Sequence, residues 1–206
     1  MSDVYIGIDE AGRGPFIGEM VLCAVRAKNT ELPQGVVDSK LLTPKKREEL
    51  YEHLITLPHA IRICSVKEID TAVAKNGLNW LEADKTAELI NELGGGRVIV
   101  DCPAKNLAAY KDYLSERCPG ADIHVQYKAD LEHPVVGAAS IIAKVVRDRA
   151  IKALHDEVGV DFGSGYLTDP KTQEFLKTMP LDWPHARKSW KTHQALAAQR
   201  EQKTLF

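Results

Sequence analysis

The sequence predicts an α/β fold: a mixed sheet flanked by helices, with a small helical extension at the C-terminus. Three observations carry this. Two β-like runs follow each other near the N-terminus before any helix. Strand-like and helical segments then alternate, the order that places helices on both faces of a sheet. Within Arg97–Cys102, Val98-Ile99-Val100 is an unbroken apolar run, the pattern of an interior strand buried on both faces.

The elements follow in order. Val4–Asp9 is a short β run and Met20–Ala27 a second. Between them, the glycines and proline of Glu10-Ala11-Gly12-Arg13-Gly14-Pro15 interrupt regular structure. Thr43-Pro44 reads as an N-cap followed by proline in the first helical turn, with Leu50, Leu54 and Leu57 on one stripe. His59–Lys67 is β-like, and Leu78–Leu93 is helical up to Gly94-Gly95-Gly96. Asn106–Arg117 is helical, Ile123–Tyr127 is a strand, and Pro134 opens a long helix to about His155. Helical stretches at Pro170–Thr178 and Thr192–Gln202 complete the tail. Gly159, Gly163 and Gly165 break the pattern, so a boundary near Val160 divides residues 1–159 from an extension, 160–206.

At 206 residues with 44% apolar and 27% charged side chains, the chain can bury a core without staples, which excludes disorder as its main state. Lys and Arg number 27 against 29 Asp and Glu, so the net charge of −2 does not suggest a strongly basic nucleic-acid binder. No apolar run reaches membrane-spanning length, and Met1-Ser2-Asp3 opens no export signal, so a cytoplasmic protein is expected. Cys23, Cys64, Cys102 and Cys118 form no C-x-x-C pair and read as buried reduced thiols. The histidines do not join them at zinc-ligand spacing.

Four acidic residues stand at strand ends or just beyond. Asp9 and Glu10 close the first strand, Asp101 closes Val98–Val100, and Asp130 follows the strand ending at Tyr127. A carboxylate there is costly to desolvate unless paired, and four together raise one another's pKa. A bound divalent cation resolves the conflict, and oxygen-only ligands select Mg²⁺ or Mn²⁺. The plainer reading, that each caps a neighbouring helix or turn, weakens as the number of coincidences grows. Asp9 and Glu10 are neighbours on a strand, so both enter one site only if the chain bends there, which Gly12 and Gly14 permit.

Gly7-Ile8-Asp9-Glu10-Ala11-Gly12-Arg13-Gly14-Pro15 resembles the N-terminal signature of type 2 ribonuclease H, archaeal-like, and the likeness covers nearly the whole chain. Asp38-Ser39-Lys40-Leu41, Val100-Asp101 and Lys128-Ala129-Asp130 are similar to further family blocks, as is Ala138-Ala139-Ser140-Ile141-Ile142-Ala143-Lys144-Val145. Phe162-Gly163-Ser164-Gly165-Tyr166 and Arg187-Lys188-Ser189-Trp190 complete the set, in order. The resemblance implies an RNase H-like fold, with residues 1–159 as its catalytic domain. It implies that Asp9, Glu10, Asp101 and Asp130 hold two divalent ions. It further implies hydrolysis 5′ of ribonucleotides in RNA:DNA hybrids and ribonucleotide-containing duplex DNA, leaving 3′-hydroxyl and 5′-phosphate ends. Two metals suit an in-line displacement and require no Ser, Cys or His nucleophile.

By the same resemblance, Gly12, Arg13 and Gly14 contact the 2′-hydroxyl and Tyr166 packs on the adjoining sugar. Bare backbone amides can approach a ribose closely; a tight turn and a half-buried aromatic are the plain alternatives. Ser140, Lys144 and Asp148 lie along one helix face with Arg147 beside them, and a polar stripe on an apolar helix usually faces solvent. Ser140 and Lys144 are therefore expected as phosphate contacts, with Asp148 orienting Lys144 or standing near a metal. Lys45-Lys46-Arg47 forms either a solvated basic face or a phosphate patch beside Lys40. Glu19 departs from the proline that commonly follows Gly18 in the family. Without the four acidic residues the remaining side chains sum to +2, so a near-neutral chain can present a locally positive cleft.

Alternative readings are a type 3-like ribonuclease H acting only on hybrids, a phosphate-cradling nucleotide-binding module, and a non-catalytic duplex binder. The first normally carries an N-terminal domain ahead of the catalytic strand; the second lacks G-x-x-x-x-G-K-[ST]. A monomer is expected. Gln202, Leu205 and Phe206 resemble the peptides with which replication proteins bind a sliding clamp, an aliphatic and an aromatic anchor beside a glutamine. Folding of Leu205 and Phe206 back onto the core is the alternative.

Overall fold

The computed structural model describes residues 4–36 and 39–204, with side chains described to residue 200. Five strands form one sheet: β1 (Val4–Ala11), β2 (Met20–Lys28), β3 (His59–Cys64), β4 (Arg97–Asp101) and β5 (Asp122–Gln126), in the order β3-β2-β1-β4-β5. β1 pairs antiparallel with β2 and parallel with β4, and β4 pairs parallel with β5, so the sheet is mixed. The helices are α1 (Pro44–Leu54), α2 (Val66–Ala74), α3 (Leu78–Glu92), α4 (Leu107–Arg117), α5 (Ala129–Glu132), α6 (Pro134–Val158), α7 (Pro170–Thr178) and α8 (Lys191–Thr204). This is the expected RNase H-like architecture with extra C-terminal helices.

The β-like run expected over His59–Lys67 stops at Cys64. Ser65 caps α2 by accepting from Glu68 N–H while the Glu68 carboxylate accepts from Ser65 N–H, a reciprocal capping box. The Thr43 hydroxyl caps α1 as expected, with Pro44 in the first turn. α1 ends at Leu54, short of Leu57.

The chain forms two compact units. The first takes in Met1–Ala11, Val21–Ile63 and Asn79–Val146; the second takes in Gly12–Met20, Cys64–Leu78 and Arg147–Phe206. The segments of the two units alternate along the chain. Each unit has its own core. In the first, Val21, Cys23 and Val25 of β2 and Ile99 of β4 pack with Val135, Val136, Ala139 and Ile142 of α6. α6 comes so close to β1 that a Cβ on Gly7 would lie 2.3 Å from the Val135 carbonyl carbon, a place only glycine fits. In the second, Phe16, Ile17, Ile151, Phe162, Leu176, Met179 and Ala186 are buried together.

Cys23, Cys64, Cys102 and Cys118 are buried free thiols. Among the described residues, no helix is long and apolar enough to cross a membrane.

Candidate active site

Ile8 of β1 lies opposite Val100 of β4 in parallel register, so the next residues, Asp9 and Asp101, share one face of neighbouring strands. Asp130 arrives from the first turn of α5, one step past β5. Lys128 makes the turn in left-handed backbone, φ 55°, unusual for a residue with a side chain. The turn presents Ala129 N–H to Asp101 Oδ1 at 3.1 Å. One carboxylate oxygen each from Asp9, Asp101 and Asp130 all lie within 4.8 Å of one another.

Burial and the neighbouring Asp101 push the Asp9 carboxyl up to about 8, with Asp130 adding to the effect. The Ser140 hydroxyl and the Glu10 N–H, 2.7 Å from Asp9 Oδ1, oppose this by donating to the carboxylate. Burial also raises Asp101, against the Ala129 amide and the Lys40 charge. Lys40, largely exposed, brings Nζ to 4.0 Å from Asp130 Oδ2. Three buried or half-buried carboxyls, of which Asp9 and Asp101 resist ionising, with oxygen as the only donor, fit a hard divalent cation and could coordinate one.

Glu10 stands apart from this trio. β1 stays in register with β2 to the Ala11–Val21 pair. The Glu10 charge helps raise the Tyr110 phenol and, together with Asp101, the Cys102 thiol.

Gly12, Arg13, Gly14 and Tyr166 belong to the second unit. Gly12 has φ +87°, and a Cβ there would lie 2.7 Å from Arg147 Cδ and Nε and from the Glu19 carbonyl. Gly14 is different: its nearest neighbour to a Cβ is Tyr166 Cε1, 3.9 Å away. Arg147, fully buried, donates from Nη2 to the Ser164 carbonyl at 2.8 Å. Arg187, also fully buried, donates to the carbonyls of Gly12, Arg13 and Gly18.

The α6 stripe does not face solvent as a unit. Ser140 is buried, its Oγ 2.9 Å from Ser39 Oγ, while Lys144 and Asp148 are half-buried. An Asp148 oxygen lies 3.7 Å from Arg147 Nη1. Lys45-Lys46-Arg47 is also not one patch. Lys46 pairs with Glu49 at 3.3 Å, whereas Arg47 is buried and donates to the carbonyls of Ser39 at 3.0 Å and Leu42 at 2.6 Å. Arg47 precedes Leu50 and Leu54 by three and seven residues, the spacing of the buried stripe, a signal that identifies it as a brace. Sequence reasoning assigned no role to Ser39 or Arg187, because their partners are a hydroxyl and backbone carbonyls that leave no mark in the sequence. Leu205, Phe206, Asp38 and the Gln202 side chain lie outside the described residues.

A sequence model of the family described as RNase_HII, ribonuclease HII, matches residues 6–193. The ribonuclease HII of Caldivirga maquilingensis is 41% identical over 202 residues, covering 93% of this chain and 94% of that protein. Among solved structures, the ribonuclease H2 of Pyrococcus horikoshii superposes with a TM-score of 0.83 at 33% identity, covering 95% of this chain and 98% of that one. The RNase HII of Archaeoglobus fulgidus, solved in a complex with PCNA, gives 0.84 at 36% identity, covering 93% and 96%. With these matches along almost its whole length and a buried acidic trio on adjoining strands, the chain belongs to the ribonuclease HII family and is a hydrolase of the endonuclease type.

Proposed function

We propose that the chain hydrolyses the phosphodiester on the 5′ side of ribonucleotides, both in RNA:DNA hybrids and at ribonucleotides embedded in duplex DNA, leaving 3′-hydroxyl and 5′-phosphate ends. The observation that carries this is the grouping of Asp9, Asp101 and Asp130 within 4.8 Å in a chain of this family. Metal-dependent endoribonuclease activity on hybrids follows from the family and the trio; the site of cleavage and the ends are the further step.

Asp9, Asp101 and Asp130, with Glu10 beside Asp9 as the fourth carboxylate, would hold two Mg²⁺ or Mn²⁺ ions. Bound there, such ions supply activation of the attacking water and stabilisation of the leaving oxygen. The chain's own groups orient the ligands. The Ser140 hydroxyl and Glu10 N–H hold the Asp9 carboxylate, and Ala129 N–H holds that of Asp101. Exposed Lys40 and half-buried Lys144 bind backbone phosphate by charge, and Ser140 acts through Asp9. Gly12, Arg13 and Gly14 read the 2′-hydroxyl while Tyr166 packs on the adjoining sugar. The enzyme acts as a monomer in the cytoplasm, in keeping with its free thiols.

A duplex with one embedded ribonucleotide, labelled at either end, tests this. Mg²⁺- or Mn²⁺-dependent cleavage 5′ of the ribonucleotide is expected, abolished by chelation. Cleavage of hybrids alone would favour the type 3-like reading instead.

A docking role for the C-terminal tail is supported by its likeness to clamp-binding peptides and by the PCNA complex of the Archaeoglobus fulgidus relative. Deleting residues 202–206, with Gln202, Leu205 and Phe206, should abolish binding to a sliding clamp and leave the intrinsic cleavage rate unchanged. Retained clamp binding, or lost stability, assigns the tail to packing.

A further inference from the structure

Three successive carbonyls of the Gly12–Gly14 loop are taken up by one short segment near the C-terminus. Arg187 donates from Nη2 to Gly12 O at 2.5 Å and from Nη1 to Arg13 O at 2.7 Å. Trp190 Nε1 approaches Gly14 O at 3.4 Å. Arg187 also donates from Nε to Gly18 O at 2.9 Å, so its guanidinium grips both ends of the connection. The segment is itself anchored. The Asp70 carboxylate accepts from the N–H groups of Lys188 and Ser189, each at 3.0 Å, and from the Ser189 hydroxyl at 2.5 Å.

Peptide planarity turns this into a statement about donors. In a trans peptide the C=O and the following N–H point in opposite directions. A Gly12 carbonyl held on Arg187 aims Arg13 N–H away from it, and an Arg13 carbonyl held there aims Gly14 N–H away. The next residue, Pro15, has no N–H, so the donor pair ends at Gly14. Burying a guanidinium is expensive unless its donors are satisfied, and here, among the described residues, the partners are loop carbonyls. Burial, with the nearby Arg147 charge adding to it, lowers the Arg187 pKa to about 10, so two like charges are held in the interior of this unit.

We propose that Arg187 and Trp190, anchored through Asp70, are positioning residues that hold the Gly12–Gly14 loop with its carbonyls inward and the Arg13 and Gly14 amides outward, as a two-donor surface for a ribose hydroxyl. This rests on the reading of that loop as the 2′-hydroxyl contact. Neither residue touches substrate; each acts by fixing which side of the loop peptides is presented.

The test uses the full chain with Asp101→Asn to prevent cleavage. Binding is compared for a duplex with one ribonucleotide and the same duplex entirely of DNA. Arg187→Lys keeps the charge but cannot span three carbonyls, and Trp190→Phe keeps the ring and removes the indole donor. The preference for the ribonucleotide duplex should fall by about tenfold in Arg187→Lys and by about threefold in Trp190→Phe, with all-DNA affinity and Mn²⁺ binding unchanged. Amide exchange in the otherwise native chain adds a measurement that needs no variant of the segment: ribonucleotide duplex should slow exchange at Arg13 and Gly14. If Arg187→Lys does not fold, Trp190→Phe and amide exchange decide. Folded variants that keep the parent's preference, or amides unaffected by a duplex the parent does prefer, overturn the proposal. A parent without any preference for the ribonucleotide overturns the reading of the loop itself.

Discussion

Arg147 lies under Tyr166, with its guanidinium carbon 4.9 Å from the ring centroid. The same guanidinium donates to the carbonyl of Ser164, two residues before the tyrosine, so ring and backbone are held by one buried cation. Tyr166→Ala should therefore leave the fold intact and cut kcat/KM at a single embedded ribonucleotide by about tenfold to a hundredfold, the worth of one aromatic contact with a nucleotide. General duplex binding should change less. Equal losses in both would indicate a folding defect.

Gly12 and Gly14 should respond oppositely to alanine. At Gly12 a methyl meets positive φ, Arg147 and the Glu19 carbonyl together, so Gly12→Ala should cost about 1–3 kcal/mol in denaturant unfolding. At Gly14 the methyl meets only ordinary contact with the Tyr166 ring, so stability should shift by less than about 0.5 kcal/mol. Gly14→Ala should instead weaken cleavage at ribonucleotides, because the methyl enters the space beside Tyr166. A stable Gly12→Ala protein would remove the strain argument.

Ser140→Ala deletes the hydroxyl that donates to Asp9 and leaves the Ser39 hydroxyl without its 2.9 Å partner. Mn²⁺ affinity by calorimetry should fall by about tenfold, the usual effect of losing a group that orients a metal ligand. An unchanged affinity would show that Ser140 does not orient Asp9.

Metal-free stability should fall as pH rises. Asp9, raised from 3.8 to about 8, keeps a proton in the folded state that the unfolded chain loses from about pH 4 upward. The stability is thus fully present below the unfolded value and is lost as pH climbs toward 8; Asp101 is shifted in the same direction. Melting temperature in chelator should decline across that window, and saturating Mg²⁺ or Mn²⁺ should reverse the decline. Asp9→Asn should flatten it and stabilise the metal-free protein at pH 8 by at least about 1.4 kcal/mol, the equivalent of one pKa unit. A pH-independent melting temperature in chelator would contradict the origin assigned to the shift.

Much of this was legible in the chain. Val98-Ile99-Val100 announced an interior strand, and Asp9 and Asp101 at the ends of apolar runs announced the site. The β-like composition through Cys64 continues into Val66, so the expected strand overruns its true end at Cys64. The Ser65–Glu68 capping box, visible in the sequence, decides the matter for helix. α5 escaped notice because one turn after a left-handed Lys128 has no periodicity to detect. Arg47 shares the stripe of Leu50 and Leu54, but the buried roles of Arg147 and Arg187 were harder still. Their partners are largely backbone carbonyls, which every residue carries, so nothing in the sequence separates them from solvated cations.

The central claim is that the grouped carboxylates carry the chemistry. The most direct measurement is the cleavage rate of a duplex with one embedded ribonucleotide, in Mg²⁺, for the native chain and for Asp101→Asn. Asp101 is half-buried, closes β4 and shares the 4.8 Å grouping, so its amide should fold normally and lose activity by about a hundredfold or more. An Asp101→Asn protein that cleaves at the native rate would contradict the account.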